Sequence, residues 1–106
     1  MKEFDTFKYL VVELENKEVP ILKTMADNLL VSINEGVVVL VNKNSDSLNL
    51  IVRSNTNISA GDLIKKIVST IAGNGGGSKT FAQGGSKDLT SVDTLKENIE
   101  KMIESM

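Results

Sequence analysis

The sequence predicts an α/β (α+β) fold in which a mixed β-sheet of about four strands packs with three helices. One observation behind this prediction is the order of segments: strand, helix, strand, strand, helix, glycine-rich stretch, helix. Another is the change of hydrophobic period, because short apolar runs alternate with segments whose apolar residues recur every three or four positions. This order is similar to a split βαβ arrangement and predicts helices on one face of the sheet. A chain of 106 residues supports one core, so we predict a single domain over residues 1–106.

The first half of the chain predicts a strand, a helix and a hairpin. Residues 7–14 are rich in aromatic and β-branched residues, which favours a largely buried strand. Pro20 suits the first position of a helix, and an apolar stripe follows it. Residues 37–41 form an unbroken apolar run, typical of a central strand covered on both faces, and residues 48–52 complete an antiparallel hairpin. The stripe consists of Leu22, Met25, Ala26, Leu29, Leu30 and Ile33.

The second half predicts two helices on either side of the glycine-rich stretch. Ser59, three residues before Asp62, predicts an N-cap with a weak form of the capping box, and Gly73 is a natural C-cap for that helix. Ser91 predicts the start of the last helix, whose apolar stripe we expect to pack on the sheet. A short fourth strand is expected at residues 80–83. The two stripes consist of Ala60, Leu63, Ile64, Ile67, Val68 and Ile71, and of Val92, Leu95, Ile99, Met102, Ile103 and Met106.

Residues 73–87 are the most unusual part of the sequence, since they hold six of the eight glycines. Glycine loses more backbone entropy on folding than any other residue, so this stretch must need a bare backbone. It either forms turns with positive φ or lets another molecule approach closely, such as an anion or an RNA backbone flanked by Lys79 and Lys87. A Walker loop and a dinucleotide fingerprint are excluded, because both need glycines that open a helix after a strand. The spacing leaves the two explanations equally open.

Phe81 and a group of basic residues are further candidates for contact with nucleic acid. Phe81 could stack on a base, although its neighbours favour a role as an anchor in the core. The basic residues could form an edge that contacts phosphates. The alternative, which the sequence favours narrowly, is a solvated surface with lysines near a helix C-terminus. The basic candidates are Lys65, Lys66, Lys79, Lys87 and Arg53.

The composition excludes several classes of function. The chain has no histidine and no cysteine, which removes imidazole bases, thiolate nucleophiles, disulfides and the usual zinc ligands. Its carboxylates form no spaced pair typical of acid–base catalysis or of a hard-cation site, so we expect no catalytic residue and no metal. A net charge of −2 argues against binding nucleic acid by bulk electrostatics. With no secretory signal and no apolar run of membrane-spanning length, a soluble intracellular domain without a membrane partner is expected.

The glycine-rich stretch resembles the loop that ends bacterial alanyl-tRNA synthetases. The resemblance rests on residues 73–77 (Gly-Asn-Gly-Gly-Gly) and 81–88 (Phe-Ala-Gln-Gly-Gly-Ser-Lys-Asp), and it extends back through residues 58–66. It implies a C-terminal module with a DHH-associated sandwich fold, which holds the outer corner of tRNA and helps to couple aminoacylation with editing. With the flanking lysines, the implied contact surface comprises Gly75, Gly76, Gly77, Ser78, Lys79, Gln83, Gly84, Gly85, Lys87, Lys65 and Lys66.

The family also implies what lies outside this chain. Its aminoacylation and editing centres belong to other domains, so we expect a non-catalytic piece excised from a longer alanine–tRNA ligase. The ATP, magnesium and zinc of that parent are not expected here. The implied partner is alanine-specific tRNA, in the cytoplasm. Since the family's dimerising helical segment precedes this domain and is missing, a homodimeric parent and a monomeric fragment are expected.

Two other functions stay open at this point. The same fold occurs as the substrate-binding domain of DHH-family phosphoesterases, which typically carry a histidine directly after the glycine run, where this chain has Ser78. Many synthetase members have Arg-Pro-Asp at residues 78–80, whereas this chain has Ser-Lys-Thr, so Lys79 is the nearby charge in place of the arginine. The remaining alternative is a protein-interaction or dimerisation module that uses the last helix.

Overall fold

A computed structural model describes residues 2–4, 7–33, 36–56, 58–71, 73–87 and 92–105. Within them the predicted mixed sheet and three helices are confirmed, but the sheet has six strands, more than predicted. The additional strands are a three-residue strand at the start of the chain and a strand within the glycine-rich stretch. The elements are β1 (Lys2–Phe4), β2 (Phe7–Glu15), α1 (Val19–Ile33), β3 (Gly36–Lys43), β4 (Leu48–Ser54), α2 (Ala60–Ser69), β5 (Asn74–Gly77), β6 (Phe81–Ser86) and α3 (Val92–Glu104).

The strands lie in the order β1-β2-β3-β4-β6-β5. The β2 and β3 strands are parallel and joined by α1, while β3 and β4 form the predicted antiparallel hairpin. On the far side of β4, β6 and then β5 extend the sheet, both in antiparallel pairs. The glycine-rich stretch therefore lies at one edge of the sheet, next to a buried strand.

The helices cover both faces of the sheet, so the prediction of helices on one face is wrong. In β3, residues 37, 39 and 41 pack in the apolar cluster formed with α2 and α3, whereas residues 38 and 40 pack in the cluster formed with α1. Every residue of β3 except Lys43 is buried. Alternate side chains of a strand point to opposite faces, so an unbroken apolar run needs cover on both sides.

The α2 helix begins as predicted and ends differently. The side chain of Ser59 accepts a hydrogen bond from the N–H of Asp62 at 3.3 Å, which confirms the N-cap. The C-cap is Thr70, not Gly73. The described glycines show no positive φ, and the N–H of Gly73 reaches back to the carbonyl of Val68 at 3.0 Å. Gly73 therefore follows the helix without adopting the left-handed conformation of a glycine cap.

The α3 helix uses its apolar stripe within the core. Leu95, Ile99 and Ile103 are fully buried in the cluster that includes α2 and the sheet. At the end of the helix, the hydroxyl of Tyr9 in β2 donates to the carboxylate of Glu104. Burial, together with this carboxylate, raises the pKa of Tyr9 to about 12. These three side chains are thus unavailable to a partner, whereas the Val92 side chain and Met106, also predicted in the stripe, lie outside the part of the chain that the structure describes.

Two smaller predictions concern the ends of helices. Pro20 occupies the second position of α1, because the helix already begins at Val19. The predicted cap Ser91 lies outside the described residues. None of the helices within the described ranges has the length and hydropathy needed to cross a membrane.

Candidate nucleic-acid interface

The glycine-rich stretch is a β-hairpin formed by β5 and β6, where the sequence predicted a loop with a short strand at residues 80–83. In its register, Asn74 pairs with Gly85, Gly75 with Gly84, and Gly76 with Gln83. Glycine and asparagine are depleted in strands, so local propensity hides this element. Packing against α2 and pairing with β4 decide its conformation instead.

One face of the hairpin is closed against α2, and its glycines permit this contact. A Cβ atom at Gly75 would lie 2.9 Å from the Cα of Gly84 and 3.1 Å from a side-chain carbon of Ile64. At Gly84 it would lie 2.8 Å from the carbonyl oxygen of Asn74 and 3.2 Å from a methyl carbon of Val68. Because no described glycine has positive φ, the explanation by tight turns is wrong. These glycines allow close approach, but between α2 and the strands of the protein itself. We call this α2-facing side of β5 and β6 the closed face.

The turn of the hairpin occupies the N-terminus of α2. The N–H groups of Ala60 and Gly61 donate to the carbonyls of Lys79 and Ser78 at 2.9 and 2.8 Å. The next N–H is capped by Ser59, as described above. The free N–H groups that would hold an anion at this helix end are therefore already used. An anion cradle at the start of α2 is excluded.

Ser78 is committed to the turn as well. Its hydroxyl oxygen lies 3.3 Å from the N–H of Phe81 and 3.4 Å from the N–H of Thr80, and it accepts from both. Its own N–H donates to the carbonyl of Phe81 at 2.8 Å. The hydroxyl that follows the glycine run thus stabilises the turn, while the side chain of Lys79 beside it is exposed.

The opposite side of the hairpin is open, and we call it the open face. A Cβ atom at Gly76 would meet no atom within 4 Å. Gly76 pairs with Gln83, and Gln83 pairs with Ile51, which belongs to the α1 cluster. Since α1 packs mainly on β3 and β4, it leaves this side of β5 and β6 largely uncovered. Among the glycines of β5 and β6, Gly76 is the one that internal packing does not explain.

Phe81 anchors the start of β6, which confirms the favoured interpretation of this ring. It is half-buried against the α1 cluster. The ammonium of Lys23 and the guanidinium of Arg53 lie 5.6 and 5.8 Å from its ring centroid. Sequence reasoning missed Lys23, because only the fold brings α1 next to β6.

Arg53 is occupied by contacts within the protein. Its Nε lies 2.9 Å from a carboxylate oxygen of Asp27 in α1. Its Nη1 donates to the carbonyl of Thr80 at 3.3 Å. Part of the positive charge proposed for a basic edge is therefore compensated, and Arg53 serves to join α1 to the turn of the hairpin.

The four candidate lysines lie in different places. Lys65 and Lys66 are exposed on α2, on the side of the sheet opposite to Gln83. Lys79 is in the turn and Lys87 follows the other end of β6, so the six-residue strand, about 20 Å long, lies between them. The structure does not gather these side chains into one cluster. Their contact with RNA stays a prediction.

Two adjoining cavities open along the hairpin. One, of about 410 Å³, has as its lining Val19, Asn49, Leu50, Ile51, Asn74, Gly75, Gln83, Gly84 and Gly85. The other, of about 450 Å³, has Ser47, Leu48, Gly73, Asn74, Gly85, Ser86 and Lys87. Asn74 and Gly85 line both. We call the first cavity the amide groove, because its lining includes the amide residues Asn49 of β4, Asn74 of β5 and Gln83 of β6.

The described residues offer little for metal binding or acid–base chemistry. No group of three Asp or Glu side chains among them is arranged to hold a metal ion. The chain contains no histidine or cysteine that would supply other ligands. The arrangement of the hairpin is suited to binding, through bare backbone, amides and lysines.

Comparison with known proteins gives consistent relatives. The family model described as the DHHA1 domain matches residues 6–105. Alanine–tRNA ligases from Fervidobacterium nodosum and Endomicrobium trichonymphae are 37% and 31% identical to this chain over 97% of its length. That of Streptococcus suis is 30% identical over 93%. The chain spans 12% of the length of each of these relatives.

Two solved structures share the fold. The C-Ala domain from Aquifex aeolicus alanyl-tRNA synthetase has a TM-score of 0.84 at 20% identity, covering 97% of this chain and 96% of that one. RecJ from Thermus thermophilus, in complex with Mg²⁺, has a TM-score of 0.71 at 21% identity, covering 93% of this chain and 15% of RecJ. At these identities the likeness concerns the fold alone.

Proposed function

The chain belongs to the DHHA1 domain family, and we propose that it is the C-terminal tRNA-binding module of an alanyl-tRNA synthetase. In this role it holds the outer corner of alanine tRNA and helps to bring aminoacylation and editing to the same tRNA. It has no catalytic activity alone, and the ATP, magnesium and zinc of the parent enzyme act in other domains. The parent works in the cytoplasm, as a homodimer.

The open face of the hairpin is the observation that carries this proposal. Gly76 presents bare backbone that the core does not require, between Lys79 at one end of β6 and Lys87 at the other. Glycine is the residue expected where a partner's backbone must come close. Lysines at both ends would contact phosphates and set the orientation of the RNA.

A salt titration of tRNA binding tests the proposal. We expect the chain to bind a fluorescent alanine tRNA weakly, with an affinity that falls as salt rises, because each phosphate contact releases counterions. Replacement of Lys79 or Lys87 by alanine should weaken binding and reduce the slope of log K against log salt by about one per lost contact. Lys101→Ala, an exposed lysine on α3, is the matched control.

Two results would contradict the proposal. If the chain binds tRNA no better than an unrelated acidic protein, the module is not a tRNA-binding one. If Lys79→Ala and Lys87→Ala match the control in the full enzyme, tRNA is held elsewhere. In the full enzyme, the two variants should lower aminoacylation and editing together, because both depend on the same bound tRNA.

The likeness to RecJ supports a second candidate, the substrate-binding domain of a DHH-family phosphoesterase. Ser78 stands where that branch typically has a histidine, and its hydroxyl is used in the turn. The sequence that precedes this domain in the gene separates the candidates. An Asp-His-His motif in that preceding sequence would favour the phosphoesterase domain over the synthetase module.

A further inference from the structure

We propose that the amide groove binds one nucleobase of the RNA, whose edge is recognised by the side chains of Asn49, Asn74 and Gln83. This inference rests on the proposed function and deepens it, because it names the part of the RNA that the open face of the hairpin recognises. If the proposal is right, the protein recognises the edge of a base and does not contact phosphates alone.

The orientation of Asn49 is determined by a chain of hydrogen bonds that begins at Lys17. The fully buried amide of Asn42 accepts from the N–H of Lys17 and donates to its carbonyl, both at 3.0 Å. Because the backbone groups of Lys17 have only one arrangement of donor and acceptor, they decide which atom of the Asn42 amide is nitrogen. The second hydrogen of that nitrogen is shared between Oδ1 of Asn44 at 3.2 Å and Oδ1 of Asn49 at 3.3 Å.

The carbonyl oxygen of Asn49 therefore faces inward. It accepts a second hydrogen bond, of 2.7 Å, from the amide nitrogen of Asn44. Asn49 lines the groove, and within the part of the chain that the structure describes no protein acceptor is found for its Nδ2 group. This partly buried network occupies the oxygen of Asn49, which prevents the amide from turning over and leaves its N–H donors for a ligand in the groove.

Gln83 and Asn74 provide further amide groups at the same cavity. Both side chains are exposed. Gln83 projects on the open face beside Gly76, and Asn74 lies at the junction of the two cavities. An amide carries one acceptor and two donors, which is the combination that pairs with the edge of an unstacked base.

The shape and charge of the cavities fit a nucleotide. The groove has the volume of a small-molecule site, an apolar wall formed by Val19 and Ile51, and bare backbone at Gly84 and Gly85 that a flat ring can approach. Lys87 lines the adjoining cavity, where a phosphate attached to the bound nucleotide would lie. Although the chain has 14 acidic residues, no carboxylate is among the described residues that line either cavity.

The test uses chemical footprinting of alanine tRNA, with one set of probes for base edges and another for the sugar–phosphate backbone. We expect the wild-type chain to protect the edge of at least one base. Gln83→Met keeps the side-chain length and removes the amide, and should expose that base again and weaken binding by about 10-fold. Asn98→Leu removes an exposed amide on α3 and is the control.

A second variant isolates the fixed donor. Asn49→Asp keeps an oxygen for the amides of Asn42 and Asn44 but replaces the outward N–H donors by an acceptor. It should abolish protection of the base edge while backbone protection persists. Circular dichroism should show both variants folded, since Gln83 is exposed and the internal acceptor at residue 49 is retained.

The outcomes separate this inference from the proposed function. A complex that protects only sugars and phosphates, or a Gln83→Met variant that behaves like Asn98→Leu, overturns the nucleobase site and leaves tRNA binding intact. If the wild-type chain forms no complex with the tRNA, both proposals fail. Base-edge protection that is lost in both groove variants and kept in the control supports the site.

Discussion

Both faces of the β5–β6 hairpin contain glycine, but glycine has opposite structural roles on them. On the closed face, Gly75 and Gly84 lie against α2, and a single added carbon at either would meet backbone atoms. On the open face, Gly76 has room for a side chain, and Gln83 beside it is exposed. Glycine therefore serves packing on one side of the strand pair and access on the other. Composition alone does not distinguish these uses, because both require the same missing Cβ.

The largest expected effect is that of adding a carbon to the closed face. In Gly84→Ala, the new Cβ would lie 2.8 Å from the carbonyl oxygen of Asn74, an atom held by strand pairing. Overpacking of this kind destabilises a protein by about 2 kcal/mol, which should lower Tm by about 10 °C. Thermal unfolding followed by circular dichroism measures it. An unchanged Tm would mean that the closed face is looser than the structure shows.

The next effect concerns the same apolar cluster at the other end of the sheet, where α3 is held to β2. Tyr9→Phe removes the hydroxyl that donates to Glu104, and a hydrogen bond to a charged group contributes about 2 kcal/mol. The folded protein raises the pKa of Tyr9 from 10.0 to about 12, so its neutral form is favoured by folding. The stabilising contribution is complete below pH 10 and is lost as the pH rises towards 12.

Urea unfolding at several pH values measures this dependence. We expect the difference in unfolding free energy between wild type and Tyr9→Phe to be constant from pH 7 to 9 and to shrink from pH 10 to 12. A difference that does not change with pH would show that the Tyr9 hydroxyl titrates normally.

A smaller effect is expected from the cap of α2, on which the hairpin turn rests. Ser59→Ala leaves the N–H of Asp62 without its side-chain acceptor and should destabilise the protein by about 1 kcal/mol. Because the carbonyls of Ser78 and Lys79 still occupy the first N–H groups, the helix should persist. Chemical denaturation quantifies the loss, with Ser69→Ala as a control at an exposed position of the same helix. Equal losses in the two variants would contradict the role of the cap.

The smallest effect on stability, and the sharpest test of the comparison, is that of Gly76→Ala. Its Cβ enters open space at a φ that is not positive, so stability should stay the same or rise by about 0.5 kcal/mol through a less flexible unfolded chain. Affinity for alanine tRNA should nevertheless fall, because the partner's approach is obstructed. Measuring Tm and tRNA affinity on the same sample gives both quantities. A loss of stability as large as in Gly84→Ala would remove the distinction between the faces.

Several elements were predictable because local patterns determine them. The run at residues 37–41 indicated a buried central strand, and Ser59 with Asp62 indicated a helix start, since alternation and capping act over a few residues. The antiparallel hairpin of β3 and β4 follows from the same kind of signal. The prediction of helices on one face was wrong, although the sequence contained the contrary signal. The unbroken apolar run in β3 requires cover on both faces.

The candidate site was only partly predictable. The glycines drew attention to the right stretch, but the strand β5 could not be anticipated from Asn-Gly-Gly-Gly, whose propensity opposes it. Lys23 and Asn49 gave no local signal at all, because α1 and β4 bring them to Phe81 and to the amide groove from distant parts of the chain. A pattern of neighbouring residues does not report such long-range placement.

Composition and local pattern were enough to predict the mixed α/β class and the order of the main elements, to exclude histidine and cysteine chemistry, and to single out the glycine-rich stretch. These follow from composition and short-range periodicity, which the chain carries in any conformation. The fold was needed to show that the glycines form an edge hairpin, that α2 closes one of its faces, and that Gly76 and Gln83 lie on the open face. This arrangement depends on which backbone atoms come within contact distance, and folding alone establishes those distances.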